Sequence, residues 1–261
     1  MPHRPPPRRR PPARGRRRGR LGAAVLVAAT GAGFVLGWNA AGADPRTAAR
    51  AADAPADGAA SGDKAPAPVT FAFAGDVMLG ADGYGLPPDG GAGALAPVRR
   101  LLRADVSVGN LEGTLTQRGA SKCPARDPAA TGPVTCYAFR TPPSYAAHLA
   151  AAGFTVMSQA NNHANDYGAT GLDDTRAALT AAGIVPTGAP GTWATQRVRG
   201  TRVAVLAFAP YPWSNPLTDI AAAQALVRRA GARADIVVVT MHAGAEGAAA
   251  ASTPHGAETY L

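Results

Sequence analysis

The sequence predicts an α/β protein built on parallel strands. Three observations carry this reading. Apolar runs that fit strands alternate with periodic segments that fit helices through residues 69–241. The run from Asp235 to Met241 (DIVVVTM) is almost continuously apolar, as expected of a strand covered on both faces in a parallel sheet. Four of the strands are each followed at once by carboxylates, amides or imidazoles, and parallel strands put such ends along one edge, where these sheets bind ligands.

The N-terminal part is organised differently. Residues 1–20 carry nine arginines and no acid, and charges balance over the remainder, so the net charge of +9 belongs to this tail. A nucleic-acid partner requires basic residues on the folded surface, and their confinement to the tail argues against one. Leu21 to Trp38 is 18 residues without a charge, just long enough to span a bilayer. The arginine flank places the N-terminus in the cytoplasm. Ala41-Gly42-Ala43 fits a small-x-small cleavage site. Residues 21–43 therefore read as a single-pass anchor, favoured by the long basic region and by Trp38 at the interface, or as a signal peptide cleaved after Ala43. Both put the remainder outside the cell, either held at the membrane or secreted. Residues 44–68 are rich in Ala, Pro, Asp and Gly without periodicity and read as a disordered linker. The folded domain is expected over 69–261.

Within that domain, Val69 to Ala74 alternates and reads as a strand running into Gly75-Asp76. Leu95 to Leu102 reads as a short helix. Asp105 to Gly109 is a second strand, ending in Asn110-Leu111-Glu112. Pro142 and Pro143 open a helix that runs to Ala152. Phe154 to Ser158 is a short buried strand, followed by Gln159-Ala160-Asn161-Asn162-His163-Ala164-Asn165-Asp166. Ala169 to Ala182 is a helix with Leu172, Ala178 and Leu179 on its apolar face, and Gly183 ends it. Ile184 to Thr187 is a brief strand. Arg202 to Ala209 is a strong one, followed by the aromatic loop Tyr211-Pro212-Trp213, which either lines a cleft or covers the core. Ala221 to Ala230 is a helix, and the Asp235 strand runs into His242 and Glu246.

Cys123 and Cys136 are the only cysteines and flank one loop. In an exported protein this pattern suggests a disulfide, worth about 3 kcal/mol for a loop of this size. No Cys/His cluster points to a thiolate metal site.

The strand-end groups are Asp76, Asn110 with Glu112, Asn161 to Asp166, and His242 with Glu246. Carboxylates, histidines and amide oxygens suit divalent Zn, Mn or Fe, and such ions activate water and clamp an oxyanion. A histidine beside the metal could protonate a leaving group. His148, on the helix before the Asn161 loop, reads as a surface residue, and His255 has no clear partner. Neither a GxSxG elbow, a P-loop nor a GxGxxG after a strand is present, which argues against those chemistries.

Together, Phe73-Ala74-Gly75-Asp76-Val77-Met78-Leu79, Gly109-Asn110-Leu111-Glu112, Ala160-Asn161-Asn162-His163-Ala164-Asn165-Asp166-Tyr167-Gly168 and Met241-His242-Ala243-Gly244-Ala245-Glu246 resemble the capsule-synthesis CapA family. Its members are also called poly-γ-glutamate biosynthesis proteins and are related to calcineurin-like metallophosphatases. The likeness runs from about Val69 to the last residue. It implies a metallophosphatase-like α/β sandwich, membrane-anchored and extracellular, serving synthesis, export or anchoring of γ-linked polyglutamate alongside membrane subunits of that machinery. Carried onto this chain, it implies Asp76, Glu112, Asn162 and His242 as metal ligands, with two metals in a complete member. His163 and Asp166 would act in catalysis, and Asn110, Asn161 and Glu246 would support the site. The family continues with a Gly-His-x-Pro-His element and a Tyr-Ser-x-Gly-Asn-Phe stretch that this chain does not reach. The resemblance therefore implies a C-terminally truncated domain short of at least one histidine ligand. The family's aromatic after the fourth-strand histidine is Ala243 here, which loosens that side of the cleft. Two functions compete on this reading: a metal-dependent hydrolase of a phosphoester or amide in an anionic polymer, and a non-catalytic subunit that holds the polymer or a membrane partner.

Overall fold

A computed structural model describes residues 24–29 and 68–245, apart from 82–84, 126–128, 130 and 133. The β-branched and aromatic runs form strands, and the Ala/Leu-rich stretches between them form helices, because each buries one face against the other. In chain order the strands are β1 (Ala24–Ala29), β2 (Phe71–Val77), β3 (Val106–Leu111), β4 (Thr114–Leu115), β5 (Arg140–Thr141) and β6 (Val156–Ser158). They continue with β7 (Val185–Thr187), β8 (Ala194–Val198), β9 (Thr201–Ala209), β10 (Asn215–Pro216) and β11 (Ile236–Met241). The α-helices are α1 (Ala146–Ala152), α2 (Gly168–Ala181) and α3 (Ile220–Gly231).

Two sheets form. The first has the order β2-β3-β6-β7, all parallel. The second has the order β1-β11-β9-β10, also parallel, with β8 antiparallel against β9. Their inner faces meet through Val106, Val108 and Val156 from one sheet and Val203, Val205 and Val238 from the other. The outer face of the first sheet packs Leu111 and Met157 against Leu149 of α1 and Leu179 of α2. The outer face of the second packs Leu206, Phe208 and Val237 against Leu226 and Ala230 of α3. The result is four layers, helix–sheet–sheet–helix, with alternate residues of β3 and β9 serving opposite cores. This is the expected α/β class.

Most helix and strand expectations hold. α1 stops at Gly153 in the left-handed conformation, φ 114°, where an added Cβ would meet the Leu102 carbonyl. Asp219 caps α3 by accepting from the Ala222 amide at 2.9 Å. The expected helix over 95–102 is instead a 3-10 turn, Ala96–Val98, between other turns. Leu101 is 77% exposed there, so no continuous apolar stripe rewards a longer helix, and a short one does not offset its own nucleation. β8 was not expected. It returns into β9 through Arg199 and Gly200, both at positive φ, and Arg199 clips this hairpin to Asp105 at the start of β3, 2.7 Å away.

The N-terminal expectations fall largely outside the described residues. Of segment 21–43 only Ala24–Ala29 is described, and its backbone pairs in parallel with β11 from Ala24–Ile236 to Ala29–Met241. Over these six residues the backbone is extended, and the remainder of the segment lies outside the described residues. No helix among the described residues is long and apolar enough to cross a membrane.

Candidate functional site

The parallel order brings the carboxyl ends of β2, β3, β6 and β11 together. β2 shifts register between Phe73 and Asp76, so Asp76 lies within the strand and directly opposite Asn110 of β3. A shift of this kind turns a side chain out of the alternating pattern and is common beside sites. Glu112 follows β3 immediately, and the turn after β6 supplies Asn161 to Asp166. His242 follows β11, on the other sheet. Asp76, Glu112 and His242 each offer a ligand atom within 4.8 Å of the others.

Asn110 joins them. Its Nδ2 lies 2.8 Å from Asp76 Oδ1, 2.8 Å from Glu112 Oε2 and 3.1 Å from His242 Nδ1. Backbone groups fix this orientation. Asn161 Oδ1 accepts from the His163 amide at 3.0 Å, and Asn161 Nδ2 donates to the Leu111 carbonyl at 2.8 Å. The same Nδ2 donates to Asn110 Oδ1 at 2.9 Å, so the Asn110 amino group must face the carboxylates. Two N–H groups thus meet three acceptors. The cluster carries more lone pairs than donors, which suits a cation. His242 accepts at Nδ1 and donates from Nε2 to Asn162 Oδ1 at 3.0 Å, so Asn162 stands beside the three acidic and imidazole groups.

The two carboxylates differ in environment. Burial, with a smaller push from the Asp76 charge, raises Glu112 to about 7. Burial also pushes Asp76 up, but the adjacent His242 imidazole and the Asn110 amide outweigh it and hold that carboxyl below its usual value. The Asp76 side chain is 50% exposed and that of Glu112 only 9%.

His163 stands next to this cluster. Its Nδ1 is 2.8 Å from Asp166 Oδ2, and its Nε2 is 3.9 Å from Glu112 Oε1. Asp166 is completely buried. It also accepts from the Phe139 amide at 2.6 Å and pairs with Lys122 Nζ at 2.6 Å. A carboxylate surrounded by donors leaves His163 Nδ1 as a donor too, which turns Nε2 toward the cluster. The Phe139 ring stacks on the imidazole, centroids 3.9 Å apart. Trp213 donates from its indole nitrogen to the Asn161 carbonyl at 2.9 Å, so the aromatic loop braces the turn, and the Trp213 and Tyr211 rings stack at 5.2 Å.

Asp76, Asn110, Glu112, Asn161, Asn162, His163, Asp166 and His242 are therefore assembled at one place. Glu246 and His255 lie outside the described residues. His148 is away from the cluster and partly buried rather than on the open surface, edge-on to Tyr145 with Nε2 2.8 Å from the Gly90 carbonyl. Lys122 and Phe139 were not foreseen. They sit just outside the cysteine pair, and that adjacency was the one available signal. The expected disulfide is formed, Cys123 to Cys136, with Cα atoms 5.7 Å apart.

Such a site can bind a divalent cation and place one oriented imidazole beside it. No curated protein shows a significant match to the chain. Residues 70–257 match the family described as bacterial capsule synthesis protein PGA_cap. The match spans the described domain and every strand of the site, and the chain belongs to the bacterial capsule synthesis protein family.

Proposed function

We propose that this capsule-synthesis protein is an exported metal-dependent hydrolase that cleaves a phosphoester or amide bond in an anionic polymer such as poly-γ-glutamate. The observation that carries the reading is the meeting of Asp76, Glu112 and His242 within 4.8 Å, next to an imidazole already oriented by a buried carboxylate. The facing sheets, each backed by helices, support a metallophosphatase-like sandwich. The arginine-flanked apolar segment and the disulfide support an extracellular domain, anchored or released after Ala43, working beside membrane subunits of capsule synthesis.

Asp76, Glu112 and His242, with the Asn162 amide oxygen, would hold Zn, Mn or Fe, with two ions in a complete site. When bound, such an ion polarises the bond to be cleaved and acidifies bound water. The chain's own residues do the rest. Asn110 fixes both carboxylates through one amino group. His163 keeps its proton on Nδ1, donating it in a hydrogen bond to Asp166, and handles the transferred proton at Nε2. Glu112, buried and raised, gives up its proton as the cation enters.

The test is metal content and bis(p-nitrophenyl) phosphate hydrolysis by the full-length protein, beside Asp76→Ala and His163→Gln. Asp76→Ala should lose metal, and His163→Gln should keep metal and lose turnover. A protein that binds no Zn, Mn or Fe would sink the proposal. A second reading is a non-catalytic subunit that holds the polymer. A cleft of about 390 Å³ lined by Thr116, Gln117, Arg140 and Thr141 favours it. Capsule production unaffected by His163→Gln, with polymer binding lost in Arg140→Gln, would select that reading.

A further inference from the structure

We infer that Lys122 is a positioning residue for the His163–Asp166 pair, kept in place by the Cys123–Cys136 disulfide, which joins two limbs of a clamp around the turn from Asn161 to Tyr167. The inference rests on the hydrolytic reading of the site and identifies what holds its imidazole.

The first limb runs from Thr116 to Lys122. It is tied to α2, where Thr116 Oγ1 donates to Asp174 Oδ2 at 2.5 Å and Arg118 pairs with the same carboxylate. At Gly119 it lies on the turn itself, because an added Cβ would stand 2.4 Å from the Tyr167 carbonyl oxygen. It ends with the Lys122 amide donating to the Asp166 carbonyl at 2.7 Å and Lys122 Nζ paired with Asp166 Oδ1 at 2.6 Å. The second limb is Phe139 and Arg140. Phe139 donates its amide to Asp166 Oδ2 and stacks on His163, and the Arg140 guanidinium lies 4.3 Å over the Tyr167 ring. Cys123 follows Lys122 directly, and Cys136 precedes Phe139 by three residues, so the disulfide closes the clamp where the limbs leave the turn.

The physical need is clear. Asp166 is completely buried, and a buried carboxylate without a cation is costly. Lys122 is the cation that reaches it, entering from a limb whose neighbours Ser121, Pro124 and Ala125 are all exposed. Little packing holds that limb once it passes the turn, so the covalent link takes over that task. With Lys122 withdrawn, the Asp166 carboxylate is no longer pinned at Oδ1, and His163 loses the fixed acceptor that holds its Nδ1 proton and aims Nε2 at the cluster.

The test uses the full-length chain labelled with nitrogen-15 histidine, in detergent, and reads the His163 ring by NMR. Oxidised wild type and Lys122→Arg should show one tautomer, protonated at Nδ1. Lys122→Met, the Cys123→Ser/Cys136→Ser pair and the reduced wild type should show averaged tautomers, with circular dichroism confirming that the fold remains. Zn²⁺ affinity of Lys122→Met should fall far less than hydrolysis, because Asp76, Glu112 and His242 lie on other strands, while hydrolysis falls about 10–100-fold. An unchanged His163 tautomer in both Lys122→Met and the reduced protein overturns the inference, even if their melting temperatures fall. Absence of hydrolysis in the wild type would defeat the hydrolase proposal, and the tautomer measurement would still decide the clamp.

Discussion

Asn110 Nδ2 lies 3.1 Å from His242 Nδ1, across 132 residues of sequence, and ties the end of the first sheet to the end of the second at the centre of the site. The same nitrogen serves Asp76 and Glu112. Asn110→Ala should therefore loosen all three groups at once. We expect metal affinity to fall about 10–100-fold, as for other residues that orient ligands without binding metal, with a loss of stability of about 1–3 kcal/mol. Calorimetric titration with Zn²⁺ checks the first value and urea unfolding the second. Unchanged affinity would mean that the cluster is held by other contacts.

Metal binding should depend on pH through Glu112. Burial raises this carboxyl to about 7, with Asp76 pushing the same way and His242, His163 and Asn110 opposing. Below that value the proton must leave before the cation enters, so affinity should fall about tenfold per pH unit as pH drops, and level off above it. In the metal-free protein the sign reverses. The folded state keeps a proton that the unfolded chain, with its ordinary value of 4.5, has released. This contribution is fully present below that ordinary value and fades as pH rises toward about 7. Glu112→Gln should flatten the metal-free stability profile. Titrations and melts across this range would show both slopes, and a flat affinity profile would remove Glu112 from the ligands.

Gly119 combines a φ of +84° with a site where a Cβ would sit 2.4 Å from the Tyr167 carbonyl oxygen. Both conditions demand glycine. Gly119→Ala should cost about 1–3 kcal/mol or more and displace the Lys122 limb. A thermal melt measures the cost, and a variant as stable as wild type would show that the limb does not rest on the turn.

The Cys123–Cys136 link closes a loop with a sequence separation of 13. Its removal in Cys123→Ser/Cys136→Ser should lower stability by about 3 kcal/mol, through the added freedom of the unfolded chain. Denaturant unfolding under oxidising conditions makes the comparison, and no loss would mean that the unfolded loop is already restricted.

Much of this was legible in advance, for identifiable reasons. β9 and β11 were evident because a buried strand must be apolar along its length. α2 was evident because its apolar residues recur at helical spacing and Gly183 stops it. Glu112, His163 and His242 were evident because each follows a strand at short range, and Asp76 because it stands at the end of one, and parallel order puts such ends on one edge. The 95–102 segment misled because composition alone does not show which leucines find a core: Leu102 is buried and Leu101 is exposed. β8 was missed because its alternating pattern is half polar, and only pairing with β9 makes it a strand.

The sequence alone determined the α/β class, the strands that end in ligand-type residues, the cysteine pair and the family resemblance, because these depend on local pattern or on order along the chain. Tertiary structure decided how those residues meet. It set Asp76 opposite Asn110 by a register shift, brought His242 across from the second sheet, and put Lys122 and Phe139 around Asp166. Such placements depend on which strands pair and which faces pack. Local pattern cannot encode a contact between residues more than a hundred positions apart, because that contact exists only after both sheets have formed.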